Sequence, residues 1–524
     1  MKYWGLIAAA LLTVSCGTGD LNLVYPGGAP ETVSAEDTSS EVGFSDTFAS
    51  ETSDTQEDTE LPGDSADPPS DSASEEVATA DTGQIPQEPV LRVAGRFFRD
   101  ETDRIVLLRG INVAGTAKVP PFASLNDMAD LDPLRDWGFN VIRLLFIWEA
   151  YEPQPGEYNE TYLQNQLAVA EAAWERGLFV VVDIHQDGFS RHLAGGCGSG
   201  FPLWALPPNV QPDTPDNSDR CHGWHAQVLL DPDMHATFSA FYADTYGVRT
   251  RYLEMLSRIS GVFRDVPGVV GYDLFNEPWG WEKTELGPLY EDAAVVVRAE
   301  HPTAILFVEG HVTTNTGVDQ TGLEKPTFDN FAYAPHFYDG AAMLANAWSG
   351  LTAAMDLGFW TMTNKAEEWD VPLVLGEFGL AATAGGAADY VAACYARLDE
   401  HLASGMYWNY SPRWSPSIKD GWNGEDFSVV DDQGAPRATL PYRGYARRIA
   451  GLPQELKVTA NSVELAWKHQ PTQGRTELFV PFEDGEIVTE GTELGCWFNE
   501  ARIVHCQSTT SGDKRVTVLE KGGE

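Results

Sequence analysis

Val269-Val270-Gly271-Tyr272-Asp273-Leu274-Phe275-Asn276-Glu277-Pro278-Trp279-Gly280 begins as an apolar run and breaks at its asparagine, glutamate and proline. Such a run reads as a parallel strand buried on both faces. A proline cannot donate to a central ladder, so Pro278 ends the strand and leaves Glu277 at its C-terminal rim. Residues 371–380, V-P-L-V-L-G-E-F-G-L, form a second apolar run that ends in a single carboxylate, Glu377. One acid before a turn is unremarkable. Two at corresponding strand ends point to the face on which a (β/α)8 barrel assembles its site.

Outward from these two runs, strand-like pieces recur at 106–113, 140–147, 178–185, 269–276, 305–309, 331–336, 373–377 and 406–409. Helical patterns lie between most of them, at 127–137, 160–176, 235–263, 286–300, 353–369 and 387–403. Eight strands alternating with helices predict a TIM barrel over residues 89–450. The connection between the fifth and sixth strands, T-N-T-G-V-D-Q-T-G-L-E-K-P, has no helical pattern and is the poorest fit. A doubly wound open sheet is the alternative, but no glycine-rich phosphate turn follows the first strand. Residues 451–524 change to short alternating runs and read as a small antiparallel β-sandwich.

The strand ends collect further polar groups. Arg143 lies near the end of the second strand, where a guanidinium would keep a neighbouring carboxylate ionised. His185 and Asp187 close the third strand, His336 and Tyr338 the sixth, and Trp408 the eighth. Any one of these could be a packed or satisfied core residue. So many at corresponding ends are harder to explain as packing. A pair of glutamates in this setting is what glycoside hydrolysis needs, one as proton donor and one as nucleophile.

The N-terminal part reads differently. Residues 1–16 place one lysine before a short apolar stretch, the size of a signal-peptide core, and end in L-T-V-S-C, which resembles a bacterial lipobox with Cys16 as the lipidated residue. Residues 17–88 are rich in Ser, Thr, Asp, Glu and Pro, with 18 acids and a single base before Arg92. That composition cannot offset its ordering entropy and predicts a disordered, extended tether. The expected location is outside the cytoplasm, as a membrane-anchored lipoprotein of a bacterial envelope or a secreted protein. The net charge of −44 argues against nucleic acid and against electrostatic docking on anionic lipid. The protein is expected to be a monomer. Of the six cysteines, local spacing pairs Cys197 with Cys221 and Cys496 with Cys506, and leaves Cys394 as a buried thiol. No H-E-x-x-H or C-x-x-C cluster occurs, so neither metal nor cofactor is expected.

Taken together, L-R-G-I-N with Ala117-Lys118, N-V-I-R-L-L-F-I-W-E-A-Y-E-P-Q-P-G-E-Y, V-D-I-H-Q-D, G-Y-D-L-F-N-E-P-W-G, A-P-H-F-Y, V-L-G-E-F-G-L and Y-W-N-Y resemble glycoside hydrolase family 5, and within it the endoglycoceramidases. The stretch T-E-L-F-V-P-F-E-D-G resembles the β-sandwich that follows the barrel in that branch. The resemblance implies a retaining glycosidase acting on glycosphingolipids, with Glu277 as acid/base and Glu377 as nucleophile. Asn276 would hold the 2-hydroxyl, while Lys118, His185, Asp187, Tyr338 and Trp408 bind the sugar at the cleaved bond. On this reading the charge of Glu377 raises the pKa of Glu277 and keeps it protonated. The long loop 188–233, carrying Trp204, and the cluster Trp279-Gly280-Trp281 would line an apolar groove for the lipid. The alternatives are a β-glucosidase or endoglucanase of the same family, and, from a different class, an inactive carbohydrate-binding lipoprotein.

Overall fold

A computed structural model describes residues 90–522, apart from Asn126 and Asp420 and the side chains of Asp219 and His222. The expected export segment with Cys16 and the expected tether lie outside the described residues. Eight parallel strands form the barrel: Arg109–Val113, Val141–Phe146, Phe179–Ile184, Val269–Asp273, Ile305–Val308, Phe331–Tyr333, Val374–Leu375 and Ser404–Tyr410. They pair in that order, with the eighth returning to the first. The sixth and seventh close the ring through a parallel bridge between Tyr333 and Leu373 and through Phe337 N–H donating to Glu377 O at 2.9 Å. All eight are almost wholly buried, which is why they read as unbroken apolar runs. Gly271 is obligatory in the fourth strand, since a Cβ there would stand 1.9 Å from the Ile305 carbonyl oxygen.

Helices Glu160–Glu175, Val248–Phe263, Gly287–Glu300, Ala353–Trp369 and Ala387–Glu400 form most of the outer layer. The helical pattern over 235–263 is two helices, Pro232–Tyr242 and Val248–Phe263, because Asp244 and Gly247 take positive φ between them. Between the fifth and sixth strands there is only a 3-10 turn, Val312–Thr316, ended by Gly317 at φ 68°. Its polar, β-branched sequence cannot pack a helical stripe, and the turn instead carries Asn315 into the barrel mouth.

The second layer is built from both ends of the barrel. A seven-stranded sheet runs Arg92–Ala94, Phe97–Arg99, Ile105–Val106, Tyr445–Ile449, Thr476–Phe479, Ile503–Gln507 and Gly495–Glu500. A four-stranded sheet of Gly451–Val458, Ser462–His469, Gly512–Glu520 and Gly485–Glu490 faces it. The boundary read at 450 thus falls inside this layer, and the sandwich recruits strands from before the barrel. Its core of Trp467, Leu465, Val516 and Phe479 includes Ile105 and Leu107 from that N-terminal stretch. On the other side of the same stretch, Phe98 and Val106 pack with Val141, Val181, Ile305 and Phe307 and plug the lower end of the barrel. Cys197 is bonded to Cys221 and Cys496 to Cys506, while Cys394 is free and buried.

Candidate active site

Arg143 stands at the centre of the barrel mouth with no exposed surface. Its Nη1 donates to Asn112 Oδ1 at 3.0 Å and to Glu377 Oε1 at 2.8 Å; its Nη2 donates to Asn276 Oδ1 at 2.7 Å and Asp273 Oδ2 at 2.9 Å. Asp183 Oδ1 lies 3.0 Å and Glu309 Oε1 3.5 Å from the same Nη2. One planar fork thereby fixes groups from five strand ends. A buried cation is tolerable only with such compensation.

Glu377 receives a second hydrogen bond from the Tyr338 hydroxyl, at 2.9 Å to Oε2. Arg143 and Tyr338 are both donors, so each oxygen of the Glu377 side chain accepts one hydrogen bond. Glu277 is placed by a strained backbone, φ 41°, just before Pro278. Its own N–H donates to Glu309 Oε2 at 3.1 Å, which holds that conformation. Gln186 fastens the same turn, donating to the Asn276 and Glu277 carbonyls at 2.6 and 3.0 Å and accepting from Asn276 Nδ2 through its own carbonyl at 2.9 Å. The Glu277 carboxylate accepts from Asn315 Nδ2 at 2.9 Å and lies 2.9 Å from His336 Nδ1. The same His336 Nδ1 is 3.5 Å from Glu377 Oε2. One oxygen of each glutamate and a nitrogen of His336 all fall within 4.8 Å of one another.

His336 changes the electrostatics expected from the two acids alone. Burial works against a charged imidazole, but Glu309 and Glu377 outweigh it and hold His336 well above its ordinary range. Burial likewise works against a Glu277 anion, but the hydrogen bond and charge of His336 prevail and hold that carboxyl below its ordinary range. The expectation that Glu377 raises Glu277 is therefore overturned: a cation stands between them. Burial, aided by Asp273, pushes Glu309 up. Asp273, Glu309 and His336 are close enough to share a metal ion. Arg143 Nη2 already lies among the two carboxylates, so the positive charge they need is supplied by the chain itself.

Beside the glutamates, His185 Nδ1 lies 2.7 Å from Asp183 Oδ2 and its Nε2 3.2 Å from Asp187 Oδ2. Burial would depress His185, but Asp183 raises it to about 9. Asp187 also accepts from Ser199 at 2.8 Å and pairs with Lys118 at 3.0 Å; opposing burial, Lys118 and His185 hold it well below its ordinary range. Lys118 Nζ lies over the rings of Trp408, at 4.4 Å, and Trp422, at 3.9 Å. His185 and Trp408 are parallel, 5.7 Å between centroids.

The structure thus brings together Glu277, Glu377, Lys118, Arg143, His185, Asp187, Asn276, His336, Tyr338 and Trp408. It gives the three tryptophans assigned to the groove different surroundings. Trp204 packs edge-on against Trp148 at 5.2 Å and donates to Glu152 O at 2.9 Å, so it supports the loop from within. Trp279 stacks on His235 at 3.9 Å. Trp281 is 74% exposed. Sequence reasoning missed Asn112, Gln186, Asp273, Glu309 and Asn315. Glu309 carried the same signal as the catalytic pair, a single acid ending an apolar strand.

Residues 100–413 match the cellulase family, glycosyl hydrolase family 5. The chain is 27% identical over 480 residues to Endoglycoceramidase I of Rhodococcus hoagii (strain 103S), covering 83% of this chain and 90% of that one. It is 38% identical to Glucosylceramidase of Aspergillus fumigatus over 141 residues, 22% of this chain and 18% of the other. Among solved structures, endo-glycoceramidase II from Rhodococcus sp. in its ganglioside GM3 complex superposes with a TM-score of 0.69 at 25% identity, over 82% of this chain and 100% of that chain. The family match spans well over half the chain and contains every residue of the two-glutamate centre: this chain belongs to glycosyl hydrolase family 5.

Proposed function

We propose that the protein is a retaining β-glycosidase that cleaves between the glycan and the lipid of glycosphingolipids. Glu377, surrounded by donors, attacks the anomeric carbon. Glu277, beside an imidazole, protonates the leaving oxygen. The pair Glu277–His336 holds one proton over 2.9 Å, and that proton belongs to the pair rather than to either residue. Departure of the aglycone draws it through Glu277, and the returning anion then deprotonates water for the second displacement. Oxygen atoms within 4.8 Å leave no space for a water between carboxylate and sugar, which favours retention over inversion.

The observation that carries the lipid half of the reading is the surface beyond Glu277. Trp281 is 74% and Leu230 73% exposed. Their chain neighbours are connected: Trp279, two residues before Trp281, stacks on His235, whose Nε2 lies 2.8 Å from the carbonyl of Val228, two residues before Leu230. Because Glu277 addresses the leaving oxygen, apolar surface on its side meets the aglycone. The full-length similarity to Endoglycoceramidase I supports the same substrate class.

Glucosyl-, galactosyl- and lactosylceramide, offered beside cello-oligosaccharides, test this. Released ceramide supports the proposal; cleavage of the oligosaccharides without ceramide release replaces it with an endoglucanase. We also infer export with lipid attachment at Cys16, tested by incorporation of labelled fatty acid that Cys16→Ala abolishes.

A further inference from the structure

Glu425 lies beyond the stretch that matches the family, in the irregular segment between the last barrel strand and Tyr445–Ile449. Its half-buried carboxylate accepts from Trp408 Nε1 at 3.3 Å, Trp224 Nε1 at 3.3 Å and Asn423 Nδ2 at 3.2 Å. Indole N–H groups only donate, and a carboxylate offers about four acceptor positions. All three bonds are long. The charge of this carboxylate acts on Lys118 and His225. Three neutral donors hold it in place and leave acceptor capacity over.

Its position says what that capacity meets. Trp408 ties Glu425 to the wall that carries His185 and Lys118. Lys118 Nζ lies 4.4 Å from the centre of the Trp408 ring and His185 stacks parallel to it at 5.7 Å, so one indole separates Glu425 from both. The wall behind it is closed. Trp422 Nε1 donates to Gly198 O at 3.3 Å, the Trp224 and Trp422 rings lie 5.2 Å apart, and the Cys197–Cys221 bond ties the two loop segments that supply Gly198 and Trp224. In a hexose with C1 at Glu377 and its 2-hydroxyl at Asn276, the edge left for this wall to meet is the opposite one, C4 with C6.

We propose that Glu425 is a specificity-determining residue that accepts a hydrogen bond from the C4 or C6 hydroxyl of the sugar at the cleaved bond. It deepens the glycosidase reading above and rests on it. A hydroxyl donating to a carboxylate makes a stronger bond than one donating to a neutral acceptor. It also anchors the end of the ring remote from the reacting carbon, where positioning acts on the transition state.

Soluble aryl β-glucoside and its 4-deoxy and 6-deoxy analogues, assayed with wild type and Glu425→Gln, test this. The variant is expected to lose roughly 10- to 100-fold in kcat/KM on the parent glucoside. On the one deoxy analogue that lacks the partner hydroxyl it should match wild type, because there is no bond left to lose. Equal loss on all three substrates, or no loss on the parent, overturns the proposal and leaves Glu425 as a support for Trp408 and Trp224. No ceramide enters this assay, so failure of the glycolipid reading is registered separately, by ceramide release.

Discussion

The two sides of the barrel mouth are built on opposite terms. On the sugar side, Lys118, His185, Asp187 and Trp408 are buried, and each is held by at least two neighbours within a few ångströms. In the segments next to Trp279 and Val228, by contrast, Trp281 and Leu230 stand in solvent. Charged and polar groups cannot be buried unpaired, so a site that reads hydroxyls must be wired before substrate arrives. An apolar surface needs no partners, and its contribution comes from water released on binding. The first kind of recognition is preorganised, and the second is deferred until a lipid supplies the other half.

The largest effects should fall on the catalytic pair, which both sides share. Glu377→Gln should lower kcat for every substrate by roughly 10^4-fold or more. Glu277→Gln should cost about 10^2- to 10^4-fold on glycolipids but far less on aryl glycosides with good leaving groups, with azide restoring turnover. Equal losses on both substrates in both variants would dissolve the division of roles. Next comes the lipid side. Trp281→Ala should reduce kcat/KM on micellar glycolipid about tenfold and leave soluble aryl glycosides nearly unchanged. A parallel fall on both would erase the contrast between the two sides.

Loop 188–233 serves both sides, through Gly198 and Trp224 on one and Val228 on the other. Replacing Cys197 and Cys221 by Ser opens a 24-residue link and should cost about 2–4 kcal/mol of stability. Activity on both substrate types should then fall together, read by paired assays below the new Tm. The smallest effect is on pH. His185 is held at about 9 against an ordinary 6.5, so its stabilising contribution is complete below 6.5 and is lost as pH rises through 9. The depressed Asp187 contributes throughout that window and does not offset the loss. Tm should decline by about a few degrees from pH 6 to 9, and His185→Gln should flatten the decline.

What was legible in the sequence follows from these physical differences. Parallel strands buried on both faces announce themselves as apolar runs, and the acids that end them stand out against that background. Glu277, Glu377 and Arg143 were found in this way, and Glu309 could have been. Asn315 and Glu425 lie on segments without periodicity, where no pattern marks one polar residue above another. Trp204 misled because an indole in a loop looks the same whether it packs inward or faces a ligand. The His336 cation between the glutamates required geometry, since no local spacing places residue 336 between 277 and 377. Nor does any local pattern join Ile105–Val106 to Tyr445–Ile449.

That last pairing bears on the order in which the chain can fold as it is made. Strand Ile105–Val106 is synthesised about 340 residues before Tyr445–Ile449, the strand it pairs with. At roughly 5–20 residues per second, the gap is about 20–70 s. For all that time the early strand presents an unsatisfied edge, an invitation to pairing with other chains. The plug it carries into the base of the barrel is also incomplete until the barrel itself is whole. A product cut after the last barrel strand would lose the partner of that edge, so the sandwich is no detachable appendage. The last strands made decide when the first ones can settle.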